Sequence, residues 1–207
     1  MNPQSEILFA ESKQVRSQKT LEDILQAASG IVEEGDTALF TSRTLAERSG
    51  YALGTLVDRL GSIESVFLWV IKQTRDRLLK EVALDIAQFD NEVPIQVFAE
   101  KMVNIGFTNI QKVNPNVMRY FEVRALKKEG YKADYYTYMD FFVDPYLESI
   151  QKNKTGTFRL ISKNEASLLI RQLYSLVERP FVEGNPIAGT EEHRRVAKEA
   201  IIRLLGK

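Results

Sequence analysis

The sequence has no cysteine and a single histidine, His193. Lacking cysteine, it can form no disulfide, no thiolate metal site and no cysteine nucleophile. A lone histidine rules out a histidine-rich metal centre, and any Ser-His-Asp arrangement would have to use His193. That residue stands in the first turn of a helix that reads as exposed. The residue three before it is Thr190, not the glutamate of a carboxylate di-iron bundle, and there is no Gly-x-Ser-x-Gly. Gly50 and Gly54 lack the following lysine of a phosphate-cradling loop. Glu33-Glu34 and Glu191-Glu192 are adjacent pairs, which on a helix point to different faces. These absences argue against an enzyme, a metal site and a bound cofactor.

Long hydrophobic runs are also missing. The longest, Val66 to Ile71, falls far short of the roughly 20 residues that span a bilayer. Met1 to Lys13 has no apolar core of a secretion signal. The expectation is a cytoplasmic protein with no membrane partner. Net charge is absent as well, because 28 basic residues balance 28 acidic ones. Any attraction to nucleic acid must therefore come from where charges are placed rather than from their sum.

What is present is helical pattern. With 207 residues, 44% of them hydrophobic, the chain can bury one substantial core or a small and a larger one. Thr20 and Asp23 resemble a capping box before a helix buried through Leu21, Ile24, Leu25, Ala28, Ile31 and Val32, which Gly35 closes. The stretch Thr41 to Ser65 then reads as a helix-turn-helix running into a longer helix. Thr41 or Ser42 caps a short helix with Leu45 and Ala46 on its apolar face, and Gly50 supplies its left-handed end. After the turn at Tyr51 and Ala52, a second short helix carries Leu53 to Leu60. Leu56 and Leu60, four apart, pack it back on the first helix and leave its other faces free for a DNA groove.

These residues resemble the tetracycline-repressor (TetR) family of bacterial transcription regulators. Ile24, Leu25, Ala27, Ala28 and Gly35 match the first helix of that family. Phe40-Thr41, Leu45-Ala46, Gly50 and Gly54-Thr55-Leu56 follow in its order, and Ser62 with Glu64 resembles the start of its fourth helix. There are departures: Val57, Arg59, Leu60 and Ile63 stand where the family usually has tyrosine, an aromatic such as histidine, phenylalanine and lysine. The tyrosine and lysine touch DNA phosphates in the family, so two backbone contacts are lost. The loop between Gly35 and Leu45 is also one residue longer. The resemblance implies an all-α fold, with an N-terminal three-helix DNA-binding domain (residues 1–62) followed by a larger helical ligand-binding and dimerisation domain (63–207). It implies a repressor released from its operator by a small molecule. The alternative is a dimeric small-molecule-binding helical protein whose DNA head is vestigial. Residues 1–62 favour that alternative on charge alone, with six basic against nine acidic residues.

On the first reading a homodimer places two copies of the Leu53–Leu60 helix in successive major grooves of a pseudo-palindromic double-stranded operator. Thr41, Ser42 and Arg43 hold phosphate at a helix N-terminus. Tyr51, Leu53, Thr55 and Asp58 lie near bases, Arg59 reaches a guanine edge or a phosphate, and Ala52, Gly54 and Val57 belong to the same DNA-binding surface. Lys13, Arg16 and Lys19 form a basic arm that could reach an adjacent groove or the backbone.

Beyond Ser62 a long helix carries Val66, Phe67, Trp69, Val70, Leu78 and Val82 toward residue 87. Pro94 to Val113 forms another, broken by Asn114-Pro115, and a further helix runs toward Lys128. Aromatic residues are dense from Tyr120 to Tyr146, which places the effector pocket there. Tyr120, Phe121, Tyr135, Tyr138, Phe142 and Tyr174 supply its walls, with Trp69 as a candidate plate. Met102, Met118 and Met139 supply adaptable lining, and Arg124 can pair either with an anionic ligand or with Glu122, Glu129 or Asp140. Ser162-Lys-Asn-Glu165 is a capping box opening a helix that stops before Pro180, and Thr190 caps a last helix. Two amphipathic helices of this kind suit a two-fold, four-helix interface. Its candidates are Leu169, Leu173, Leu176 and Val177 on one helix and Ala197, Ile201, Leu204 and Leu205 on the other.

Overall fold

The structure, a computed structural model, describes residues 15–128 and 138–207. Among them the chain forms nine α-helices: α1 (Val15–Glu34), α2 (Ser42–Ser49), α3 (Leu53–Leu60), α4 (Ile63–Ala87), α5 (Ile95–Gln111), α6 (Pro115–Ala125), α7 (Val143–Lys152), α8 (Lys163–Glu183) and α9 (Glu191–Leu205). Short 3-10 turns at Thr37–Leu39 and Tyr138–Phe142 complete the order. The all-α class expected from the sequence is the class observed. The one β feature among the described residues is a single antiparallel bridge between Phe158 and Gly206. No described helix is long and apolar enough to cross a membrane.

Contacts divide the chain into two units. Described residues of Met1–Arg75 and Asn116–Ala133 form the first, and those of Asp76–Pro115 and Asp134–Lys207 the second. The sequence puts its boundary at residue 62. Hydrophobic periodicity finds helices without saying which helix each one packs against. Here the start of α4 and the whole of α6 after Pro115 share one unit with α1–α3.

In the first unit α1 packs on α2 and α2 on α3. Ile24, Ala28 and Ile31 of α1, Leu45 of α2, and Leu56 and Leu60 of α3 are buried. Phe40, in the loop before α2, stacks on Phe67 of α4 at 4.7 Å between ring centroids and meets Tyr120 of α6 edge-on at 4.9 Å. α1 begins at Val15, so Thr20 lies inside it and does not open it. No proline or glycine separates Gln14 from Thr20 to halt a helix there.

In the second unit Leu79, Val82 and Ile86 of α4 join Phe98, Val103 and Phe107 of α5, Phe142 and Tyr146, and the inner faces of α8 and α9 in one core. α8 does not stop before Pro180 but runs on to Glu183, with Gly184 in the left-handed conformation as its C-cap. Proline lacks the N–H that would bond the carbonyl of Leu176, four residues earlier. Nε2 of His193 lies 2.9 Å from that carbonyl oxygen, and its Nδ1 accepts from the Gly189 N–H at 3.2 Å. A carbonyl can only accept, so Nε2 carries the proton and donates. His193 is 2% exposed, not on an open helix face as its sequence position suggests, and packs against the rings of Phe107 and Phe181, which also meet each other. It fills the hydrogen bond that Pro180 leaves open.

Candidate nucleic-acid interface

α2 and α3 form the helix-turn-helix. The Thr41 hydroxyl caps α2 by accepting from the Thr44 N–H at 3.1 Å, and Gly50 closes it at φ 74°. α3 starts at Leu53 after Ala52, whose side chain makes no cap bond. Leu56 and Leu60 are buried, so one stripe of α3 faces inward. Leu53 and Val57, one turn apart, are 49% and 50% exposed. Gly54 and Asp58 next to them are exposed, while Thr55 and Arg59 are half-buried. Ser42 is half-buried and Arg43 exposed at the start of α2.

Tyr51, one of the residues expected near bases, is anchored to α1. Its hydroxyl donates to the Asp23 carboxylate of α1 at 2.8 Å. Arg48 bridges to Glu34 at 3.0 Å. These two contacts tie the turn and α2 to α1, so α1 braces the α2–α3 pair. Asp23 lies 28 residues before Tyr51, and no local spacing in the sequence announces the pair. Of the basic arm, Lys19 is exposed, while Lys13 and the side chain of Arg16 lie outside the described residues.

The residues expected around an effector fall in both units. In the first, Met118 and Phe121 are buried, and Trp69, Tyr120 and Arg124 half-buried. Arg124 pairs with Glu64, a partner outside the three acids expected from the sequence. Its Nε lies 3.0 Å from Glu64 of α4, and its guanidinium sits over the Tyr120 ring at 3.8 Å. Lys128 reaches the other Glu64 oxygen at 3.2 Å and donates to the Ser65 hydroxyl at 2.8 Å. Burial raises the Tyr120 phenol above its ordinary value, the Arg124 charge pulling it back only in part. α6 is thus clamped to the first turn of α4, directly after the helix-turn-helix. Glu64 was not singled out from the sequence as the partner of Arg124, because the two lie 60 residues apart on separate helices.

In the second unit Met139 and Phe142 are buried and Met102 is half-buried. Tyr138 and Tyr174 meet edge-on at 5.8 Å, and both hydroxyls point to the buried Glu178 carboxylate, at 3.4 and 3.3 Å. Tyr135, with Glu129, lies outside the described residues. Among the described residues no group of three or more His, Asp or Glu side chains could hold a metal ion.

Five of the interface candidates, Leu173, Val177, Ala197, Ile201 and Leu205, sit in the core of the second unit. Leu169, Leu176 and Leu204 are half-buried, and Leu168 is 64% exposed. The outer faces of α8 and α9 are therefore mixed. Arg195, Glu199 and Arg203 form a charged ladder along α9, with ion pairs at 3.0 and 3.6 Å.

The chain has the fold of solved TetR-family transcriptional regulators. A candidate TetR-family transcriptional regulator from Mesorhizobium loti superposes with a TM-score of 0.62 at 15% identity, covering 94% of this chain and 100% of that one. A TetR-family transcriptional regulator from Pseudomonas syringae pv. tomato gives 0.57 at 17% identity, with 93% and 95% covered. A TetR-family member from Streptomyces coelicolor gives 0.56 at 14% identity, with 90% and 98% covered. Neither a protein-family model nor a curated protein matches the sequence.

Proposed function

We propose that this protein is a homodimeric, ligand-responsive DNA-binding regulator of transcription that represses and is released from its operator by a small molecule. The observation that carries the reading is α3: a helix braced on α1 and α2 that shows Leu53, Gly54, Val57 and Asp58 to solvent, in a fold shared with TetR-family regulators. Two such helices enter successive major grooves, with Arg43 and the start of α2 on phosphate. The subunits pair through the outer faces of α8 and α9, where Leu168, Leu169, Leu176 and Leu204 offer apolar surface. The effector binds in the second unit, against the Tyr138, Tyr174 and Glu178 cluster. It shifts the spacing of the reading heads through α4, whose first turn carries Glu64, and through α6 clamped upon it. The protein works in the cytoplasm and needs no cofactor.

The test is selection of bound fragments from a random duplex library by the purified protein, with its mass measured by light scattering. A dimer that enriches a two-fold symmetric motif supports the reading. A dimer that enriches none, even in low salt, refutes it and favours the vestigial head, a reading that the nine acidic and six basic residues of positions 1–62 motivate.

A further inference from the structure

We infer that α3 reads the 5-methyl groups of thymine, with Leu53 and Val57 as the side chains that specify them and Asp58 selecting a neighbouring cytosine. This rests on the DNA-binding reading above and names the base chemistry of the operator. Leu53 and Val57 lie on one stripe of α3 at i and i+4, each about half exposed. Of the groups a base pair shows in the major groove, the thymine methyl is the one apolar group. An apolar pair gains nothing from a phosphate, and Asp58, exposed beside Val57, is repelled by one. The helix face is thus fitted to base edges, while the cation suited to the backbone, Arg43, stands exposed at the start of α2. Beside this stripe Gly54 has open space where a Cβ would project, so the backbone of α3 can come close to the groove floor. An acceptor-only carboxylate at the groove is satisfied by the amino group that cytosine offers there. Each half-site therefore carries two contacted thymines and a cytosine next to them.

The experiment takes the duplex enriched from the random library and resynthesises it with deoxyuridine for thymidine, first throughout and then one position at a time. Uracil keeps every hydrogen-bonding group and loses only the methyl. Binding is titrated by fluorescence anisotropy with the wild-type protein and with Leu53→Ala/Val57→Ala, two exposed positions whose truncation leaves the core intact. For each contacted methyl removed, wild-type binding weakens about fourfold. For two per half-site that amounts to about two orders of magnitude over a symmetric site. The double variant binds the thymine duplex more weakly and no longer distinguishes uracil from thymine. Asp58→Asn relaxes selectivity at the cytosine. A half-site motif without thymine overturns the inference, as does equal affinity for the two duplexes, and both leave sequence-specific DNA binding standing. Uracil discrimination that survives in the double variant overturns it too, because other groups then sense the methyl. Failure to enrich any duplex overturns both this inference and the reading beneath it.

Discussion

The Leu176 carbonyl in α8 depends on His193 because Pro180 cannot serve it, and that dependence predicts a coupling between two residues 13 positions apart. In His193→Ala the carbonyl loses its donor, a loss of about 1–3 kcal/mol for a buried acceptor left unpaired. Removing the ring packed against Phe107 and Phe181 adds about 1–2 kcal/mol for the void. The single variant should therefore lose about 2–5 kcal/mol. In Pro180→Ala the new backbone N–H can bond Leu176 directly, as in any helix interior. His193→Ala made in that background leaves no orphaned carbonyl, and should cost about 1–3 kcal/mol less than in the wild type. The assay is a double-mutant cycle by urea unfolding at one fixed protein concentration, followed by far-UV circular dichroism. Losses that add to within about 0.5 kcal/mol would refute the dependence and leave His193 a packing residue alone.

Three further outcomes follow from single side chains. Tyr51→Phe removes the donor to Asp23 and should cost about 1.5–3 kcal/mol in urea unfolding, because the acceptor is charged, while the protein at saturating concentration still occupies its duplex. Tyr146→Phe should be neutral or stabilising by up to about 1 kcal/mol, since the Tyr146 hydroxyl is the one buried side-chain polar atom without a partner among the described residues. Thermal unfolding shows the sign, and a clear loss would place a bound water or ligand on that hydroxyl. Burial raises Asp140, but hydrogen bonds from Arg171 and Ser167 outweigh it and hold the carboxyl below its ordinary value. A depressed folded-state value means the stabilisation is full above about pH 4 and is lost as pH falls through it. The stability difference between wild type and Asp140→Asn should be flat near neutral pH, within about 1 kcal/mol for so exposed a pair, and should close in acid. A difference that persists at pH 2 would contradict it.

Most of the fold was legible because its signals are local. The Thr41 and Thr190 caps, the Ser162–Glu165 box and the Gly50 terminus each lie within four residues of what they stabilise, and the structure shows the three hydroxyl caps and the left-handed Gly50 in place. Ser162 accepts from the Glu165 N–H as the box predicts, although the Glu165 carboxylate turns to Arg159. Pro180 misled because its effect is decided by a partner from another helix. The exposed face of α3 could be anticipated, since burial of Leu56 and Leu60 fixes which residues are left outside. The braces around it could not, because Asp23 with Tyr51, Glu34 with Arg48 and Glu64 with Arg124 are non-local pairs of ordinary surface residues. The α8 and α9 stripes were read as an interface, yet amphipathicity reports only that a face is buried. For Leu173, Val177, Ala197, Ile201 and Leu205 the protomer's own core already supplies that burial.

The most direct measurement of the central claim is a titration of the selected duplex against two controls at one near-physiological salt concentration. One control is the same composition scrambled, and the other is the selected duplex with five base pairs inserted between its half-sites. The insertion turns one half-site to the opposite side of the DNA, about half a helical turn away, while leaving each half-site whole. Two α3 helices held by one dimer predict tight binding to the selected duplex and at least about a hundredfold weaker binding to both controls. Equal affinity for all three would contradict sequence-specific reading by this protein.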